Sequence, residues 1–587
     1  MVQSIIYIIS FLALWAALVL VKKSDEKKNI CIWLIVGGFL VLAAQSFSAG
    51  LLGVVKLPVS TLTIGLFNII YVVLIAFWMR RGGKKSDSKL AVQRYYVKVV
   101  DIVAILAIAF LLYKIAMIRY GKDLYINFVS VDASVHCKSA LTVALEHKLP
   151  NNMYFASFNT GVMMEAARGL TGCSAFSLYK IFILCEIVYT AFSAYLFWAL
   201  LRSVGKDKVL DMIVALVLTV LYWITYPAYS TLFGFSYFGM AVNILTVLAL
   251  LITEYLQHEL DRSVMIVFLN LVLFGIFVCY TLFVPTAFFG TFIAIAIFMI
   301  KRDGKKFINC KNILEMLEVF LIPTILGLLH SFGNVKELSG NGGGIGIDGG
   351  CYSDLYSNFV VLIPFASIGI YYMIKNRDGV FSLPMMGVQL IFMLALFVGA
   401  MNGKVSAYYY MKNNSVLWMM LLFAAAMGIY GMMEKCKGAF LFAFFFFLLI
   451  FMGRWGDNWV RERNPRFLAA DAQGYFNIIY FSDSFFNANM WVSLDEVDLY
   501  RYVYDNCSDA ETISVNNEME NGWFKTLTGN EKTFTYGELK DFKKLEDDSV
   551  GYVCVVYSAP YEVVKDYVSE YEVVYSNAEG MVLKVGK

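Results

Sequence analysis

Charged side chains are scarce in this sequence: Asp, Glu, Lys and Arg make up 16% of its 587 residues, and hydrophobic residues make up 59%. Soluble domains carry about 25% charged residues. The mean hydropathy of +0.65 therefore excludes an ordinary soluble protein and indicates a membrane protein, whose spanning helices each need about 20 apolar residues. The net charge of +3 is too small to indicate a nucleic-acid partner.

Motifs for metals and nucleotides are also lacking. The ten cysteines form no C-x-x-C pair and have no His at zinc-finger spacing. The glycine-rich stretch 339–346 lacks the Gly-Lys-Ser/Thr ending of a phosphate-binding loop. No internal repeat is visible, which counts against a transporter built from inverted repeats. No cofactor is predicted with certainty from these patterns, and a divalent cation is left open.

Apolar runs dominate what is present, and they predict a mainly α, polytopic helical membrane protein with about fourteen spans. The predicted spans are 4–21, 30–52, 58–79, 97–118, 174–201, 209–226, 238–256, 264–280, 282–300, 313–332, 358–374, 382–400, 415–433 and 439–453.

Basic residues are distributed unevenly between these spans. When the spans are counted off, the basic loops fall on one side, which the positive-inside rule makes cytoplasmic. The N-terminus and the longer, less basic loops are then extracytoplasmic. The basic loops are 22–28, 80–98, 202–208, 301–311, 375–377 and 435–437, and the opposite loops are 119–173, 333–357 and 401–414.

The composition changes sharply near residue 456. The segment 456–587 is rich in Asp, Glu, Asn and Tyr and has no run long enough to span. Ser493 with Glu496 three residues later is a capping-box pattern, which predicts a helix over 495–506. Further elements of a small extracytoplasmic α/β domain are predicted: strands at 511–515, 550–557, 571–575 and 581–585, and helices at 536–544 and 561–567.

The first long polar loop contains Asp132 and His136, which are four residues apart. If Asp132 begins a helix, both side chains share one face, and an apolar side lets the helix rest at the membrane interface. A carboxylate at this place is suited to act as general base on an acceptor hydroxyl. The alternative interpretation is an Asp that caps the helix and a solvated His.

The context of this pair carries a resemblance. Asp132 and His136 directly follow an early span and precede Ala140, Leu149, Pro150, Tyr154 and Gly161. The arrangement resembles the first external loop of GT-C-type membrane glycosyltransferases. The resemblance implies an enzyme that takes a sugar from a polyprenyl-phosphate carrier on the non-cytoplasmic face, with Asp132 as catalytic base or metal-binding group. No second acidic pair of the Asp-x-Asp kind stands in the outer loops, so no metal ligand is assigned.

The loop 401–414 adds a second part of the resemblance. Tyr408, Tyr409 and Lys412 precede a late span, a pattern that is similar to one in bacterial members of the class. A cation beside aromatic rings suits a lipid phosphate, and tyrosines suit a sugar. The alternative is an aromatic belt with a snorkelling lysine. The closing segment, 571–577 with 581–585, resembles the last hairpin of the external domain in such enzymes.

Two ionisable residues stand inside the span 174–201. Lys180 lies near its outer end and is either a further ligand of the substrate phosphate or a snorkelling cation. Glu186 is deeper and needs a partner from another helix. No other mid-span carboxylate is obvious, which disfavours a proton-coupled transporter.

The predicted function is transfer of a sugar from a polyprenyl-phosphate carrier to an envelope glycan, lipid or protein outside the membrane. The predicted catalytic residue is Asp132, and the predicted substrate-binding residues are His136, Tyr408, Tyr409, Lys412 and Lys180. Membrane lipids are the other expected partners, and no nucleic acid is expected.

Three parts are predicted: N-terminal transmembrane helices (1–96), a GT-C-like catalytic module (97–455) and the extracytoplasmic α/β domain (456–587) of a multi-pass cell-membrane protein. One alternative function is a non-enzymatic translocator of lipid-linked glycan, which charged residues in a midplane cavity would favour. Another is a polysaccharide polymerase or ligase, which Arg-rich outer loops would favour. The sequence is poor in both features.

Overall fold

Long apolar helices form most of the molecule. The computed structural model describes residues 1–21, 28–82, 95–149, 155–205, 209–258, 262–340, 356–376, 382–435, 492–535, 550–557, 565 and 569–585. The helices are α1 (Val2–Leu20), α2 (Ile30–Val54), α3 (Thr61–Gly82), α4 (Val99–Tyr120), α5 (Asp132–Glu146), α6 (Phe155–Thr171), α7 (Tyr179–Val204), α8 (Val209–Trp223), α9 (Tyr226–Leu232), α10 (Ser236–His258), α11 (Arg262–Cys279), α12 (Val284–Asp303), α13 (Cys310–Gly340), α14 (Tyr356–Asn376), α15 (Leu383–Met401), α16 (Ala407–Lys412), α17 (Asn414–Lys435), α18 (Leu494–Asn506) and α19 (Glu518–Thr528). The strands are β1 (Lys28–Asn29), β2 (Tyr95–Tyr96), β3 (Glu511–Val515), β4 (Thr533–Phe534), β5 (Val550–Val556), β6 (Glu572–Ser576) and β7 (Gly580–Lys584).

Twelve helical segments of the described chain are long and apolar enough to cross a membrane. A shorter apolar helix, Leu362–Lys375, coincides with another predicted span. The predicted span 439–453 lies outside the described residues, as does most of the glycine-rich loop 333–357. The prediction of a mainly helical, multi-pass membrane protein is thus confirmed, with a span count close to the predicted one.

Buried ionic contacts tie the spans together at one end of the bundle. Arg202 of α7 pairs with Asp101 of α4 at 2.9 Å, and Asn29 donates to the other oxygen of Asp101 at 2.6 Å. Lys28 pairs with Glu254 of α10 at 3.1 Å. Charged groups removed from water need such partners. The ends of α7 and α10 therefore meet the starts of α2 and α4, as the alternation of basic loops predicts. Which side of the membrane this end faces stays a prediction.

In its described residues the C-terminal domain has a five-stranded mixed sheet and two helices. The strand order is β4-β3-β5-β7-β6, in which β3 pairs in parallel with β4 and β5, and β7 pairs antiparallel with β5 and β6. The four predicted strands match β3, β5, β6 and β7, whereas α19 and β4 were not predicted. The predicted helices 536–544 and 561–567 fall outside the described residues except for residue 565. The boundaries of the three predicted parts stay predictions.

The helix predicted from Ser493 and Glu496 is confirmed, with Ser493 as its N-cap. The Ser493 hydroxyl accepts a hydrogen bond from the Glu496 N–H at 3.1 Å, and α18 begins at the next residue, Leu494. Among the cysteines of α5, the C-terminal domain and the segment that precedes α7, Cys137, Cys173, Cys507 and Cys554 are free thiols in this structure.

Candidate functional site

The helix α5 begins at Asp132, which is the condition under which Asp132 and His136 share one face. Val131 is its N-cap residue, and no side chain caps the helix. The Asp132 N–H donates to the Ser130 hydroxyl at 3.1 Å, while its partly exposed carboxylate has no hydrogen bond or ion pair within the part of the chain that the structure describes. The alternative interpretation, in which Asp132 caps the helix, is therefore wrong. A carboxylate in the first turn is also favoured by the helix dipole.

The C-terminal domain holds α5 in place. The Thr526 hydroxyl of α19 donates to the Ser134 carbonyl at 3.0 Å, and Lys138 forms an ion pair with Glu531. At Gly522 an added Cβ would lie 2.6 Å from the Ser134 hydroxyl oxygen, so only glycine lets the two helices approach this closely. The position of Asp132 thus depends on the C-terminal domain.

Aromatic packing fixes the segment before α5. The ring of Phe128 stacks on that of Trp523 at a centroid distance of 5.8 Å, and Phe182 of α7 touches both rings. Trp523 is 1% exposed. These three rings join the loop, the helix α7 and the C-terminal domain in one apolar cluster, which restricts where α5 can start.

His136 lies on the side of α5 that faces the membrane helices. Its ring is 5.0 Å from that of Tyr237 at the start of α10. Burial, and then the positive charge of Lys412, lower the pKa of His136 to about 4. The imidazole is therefore neutral at pH 7 and can donate or accept a hydrogen bond, but it does not supply a cation.

The cation of this region is Lys412, which lies among five aromatic rings. Its Nζ atom is 4.3 Å from the ring centre of Tyr408 and 5.0 Å from that of Tyr280. The other three rings are within 5.9 Å, which is the range of cation–π attraction. They belong to Phe235, Tyr237 and Phe238. We call Lys412 and these five rings the lysine cage.

A chain of buried amides positions the lysine cage. The Thr286 hydroxyl donates to the Gln389 side chain at 2.6 Å, Gln389 donates to Asn413 at 2.8 Å, and Asn413 donates to the Tyr409 carbonyl at 2.8 Å. Ser406 caps the short helix α16 by accepting from the Tyr408 N–H at 3.2 Å. Because each buried polar group has a partner, α12 and α15 set where α16 presents its lysine.

The loop before α10 brings the cage to α5. Gly234 has a φ of +67° and would place a Cβ 2.6 Å from that of Ala133, so this close contact requires glycine. Phe235 and Tyr237 follow directly and belong to the cage. Asp132, next to Ala133, is thereby tied to the same assembly.

Glu186 of α7 lies beneath α5. It is 1% exposed. Burial, and then the nearby Glu186 carboxylate, raise the pKa of the Cys137 thiol on α5. The sequence indicated that Glu186 needs a partner from another helix, and the side chain of Ser236 on α10 interacts with its carboxylate.

The structure brings together most of the predicted site residues. His136 and Lys412 share Tyr237, and the ring of Tyr409 touches that of Tyr408 at 5.1 Å. No contact in the described residues joins Lys180, which is half-buried in the first turn of α7, to this group. The catalytic and binding roles themselves stay predictions.

Sequence reasoning missed four members of the cage, Phe235, Tyr237, Phe238 and Tyr280. The available signal was the run 233–238, which has four aromatic residues in six positions at the start of a span. Across the described residues, no group of three His, Cys, Asp or Glu side chains is arranged to hold a metal ion.

Among the comparisons with known proteins, the one with solved structures gives matches. No protein-family model and no curated protein matches the sequence. Several solved structures are similar, among them the apo crystal structure of an oligosaccharyltransferase from Archaeoglobus fulgidus, which has 12% identity and a TM-score of 0.40 over 77% of this chain and 69% of that one. That protein is a GT-C glycosyltransferase, the class that the sequence resembles. A TM-score this low supports no conclusion about activity.

Proposed function

We propose that this protein is a membrane glycosyltransferase that moves a sugar from a polyprenyl-phosphate carrier to a cell-envelope acceptor on the outer face. The observation that carries the proposal is the lysine cage, whose Tyr237 ring lies next to the ring of His136. His136 in turn lies one helical turn from Asp132 on α5. A cation, aromatic faces and a carboxylate are together what this reaction needs.

Lys412 would bind the donor phosphate. Its ammonium group has three donors, and a charge-assisted hydrogen bond to phosphate is roughly twice as strong as a neutral one. The surrounding rings keep this cation in a fixed place while leaving it an electrostatic partner for an anion. The rings of Tyr408 and Tyr409 would offer stacking faces and hydroxyls to the sugar.

Asp132 would act as general base. The acceptor hydroxyl gives its proton to the carboxylate as its oxygen forms a bond to the anomeric carbon. The bond between that carbon and the phosphate oxygen breaks, and the carrier phosphate leaves with the electron pair. Neutral His136 would hydrogen-bond substrate next to the base. Attack from the face opposite the leaving phosphate gives inversion at the anomeric carbon.

The test is a transfer assay with the full chain in liposomes. The donor is a polyprenyl phosphate that carries a radiolabelled hexose, and the acceptor is a crude envelope fraction. We expect label to enter the acceptor and free polyprenyl phosphate to appear, whereas a nucleotide-linked hexose should give no transfer. Movement of the intact lipid-linked sugar across the bilayer without a new glycosidic bond would instead identify a translocator.

A further inference from the structure

A cleft between α12 and α13 lies at the end of the bundle opposite α5. It has a volume of about 490 Å³ and apolar walls. Its walls include Phe292, Ala296 and Met299 of α12 and Leu317 and Phe320 of α13. No residue of the proposed catalytic site lines it, so it is a separate feature of the molecule.

The length of the cleft matches one leaflet of a membrane. Its walls run along α13 from Asn312 to Thr324. At a rise of about 1.5 Å per residue this span is roughly 18 Å long. Half of a hydrocarbon core about 30 Å thick is roughly 15 Å. A single acyl chain that enters at the loop end would therefore fill the cleft over about the depth of one leaflet.

The loop at the mouth of the cleft is basic. Lys305, Lys306 and Lys311 are exposed there. Two acids lie nearby, and both have partners. Asp303 is paired with Arg302 at 3.2 Å and accepts a hydrogen bond from Asn312 at 2.6 Å, and Glu315 is paired with Arg262 at 3.2 Å. These acids are therefore already neutralised by their own partners, and the three lysines leave the mouth positively charged.

Two apolar residues of the same loop also line the cleft. Phe307 and Ile308 stand between the lysines and the first turn of α13, and Ile308 is 73% exposed. A loop that is basic only because of the positive-inside rule needs charged residues. It does not need apolar residues that extend the wall of a groove, as Phe307 and Ile308 do. Exposed apolar side chains next to lysines suit the boundary between headgroups and acyl chains.

We propose that this cleft is a binding site for an anionic phospholipid. One acyl chain lies between α12 and α13, and the headgroup phosphate contacts Lys305, Lys306 and Lys311. Basic pockets between transmembrane helices bind anionic headgroups in this way. The inference does not depend on the proposed glycosyl transfer.

The experiment is a native mass-spectrometry titration of the full chain in detergent. The probes are phosphatidylglycerol and phosphatidylcholine with the same acyl chains. The wild type should prefer phosphatidylglycerol. Because each lysine near the headgroup contributes about fivefold to affinity, the variant K305Q/K306Q/K311Q should lose at least about tenfold in affinity for phosphatidylglycerol and keep its affinity for phosphatidylcholine.

Two further variants separate the cleft from general surface charge. Ala296→Phe fills the groove without changing charge and should weaken binding of both lipids. The matched control K56Q/K122Q/K404Q removes three exposed lysines that follow α2, α4 and α15, and it should bind as the wild type does. Melting temperatures confirm that each variant is folded.

Several outcomes would overturn the proposal. Equal affinity of the wild type for the two lipids would exclude an anionic site. An unchanged affinity in the triple lysine variant, or an equal loss in the control variant, would exclude this location. Polyprenyl phosphate serves as a third probe, and if it displaces phosphatidylglycerol at equal concentration, the cleft is a carrier site and the assignment to phospholipid is wrong.

Discussion

Removing the charge of Lys412 should raise the pKa of His136. The distances from the Tyr237 ring centre to the His136 ring, 5.0 Å, and to the Lys412 Nζ, 5.9 Å, place the two groups at most about 11 Å apart. Two unit charges at that separation repel by roughly 1.5 kcal/mol at an effective dielectric constant of about 20. Since about 1.4 kcal/mol corresponds to a tenfold change in an equilibrium, the pKa should rise from about 4 to about 5 in Lys412→Met.

The assay is an NMR titration of the full chain with labelled histidine. The chain has only four histidines, so comparison with His136→Gln identifies the signal. Methionine is chosen because it still packs against the rings of the cage. Lys412→Arg keeps the charge and should leave the titration unchanged, and Lys180→Met removes a cation outside the cage and should also leave it unchanged. A pKa of His136 that stays at about 4 in folded Lys412→Met would refute the placement of these two groups around Tyr237.

Three further predictions concern the supports of the site. Trp523→Ala should destabilise the C-terminal domain by about 3–5 kcal/mol, because a buried indole that stacks on Phe128 is lost. Urea unfolding would measure this loss, and an unchanged midpoint of unfolding would contradict the prediction. Gln389→Leu should raise the KM for the lipid-linked donor more than it lowers kcat, because it breaks the chain of amide hydrogen bonds that positions α16. An unchanged KM would show that Gln389 does not position α16 for donor binding. Burial raises the pKa of both Glu496 and Glu520 above the ordinary carboxyl pKa of 4.5. The folded domain therefore binds protons more tightly than the unfolded chain does, and its free energy of unfolding falls as the pH rises above 4.5. Glu520→Gln should flatten that decline in melting temperature between pH 5 and pH 8, and an undiminished decline would exclude Glu520 as its source.

The elements that could be predicted from the sequence are those determined by residues that lie close together in the chain. The spans follow from the length of apolar run that a bilayer requires, and the start of α18 follows from Ser493 and Glu496 alone. In each case the signal and the structure lie in the same short stretch of chain.

The lysine cage could not be predicted because its members are far apart in sequence. Tyr237 and Tyr280 come from two different spans, and Lys412 comes from a third segment more than 100 residues later. Only the packing of α10, α11 and α16 brings them together. The role of α19 was missed for a similar reason: its contacts with Ser134 join segments that are 392 residues apart, and no local pattern encodes them.

The most direct test of the account is the transfer activity of Asp132→Asn. Asparagine keeps the shape of the side chain and removes the carboxylate, so the variant should insert, fold and bind lipid-linked donor as the wild type does. Loss of a general base typically lowers the rate by about 10²–10⁴-fold. Asp123→Asn, which changes another acid of the same loop, is the matched control and should stay active. Transfer from the lipid-linked donor should fall by that factor in Asp132→Asn alone, and full activity in this variant would contradict the proposed mechanism.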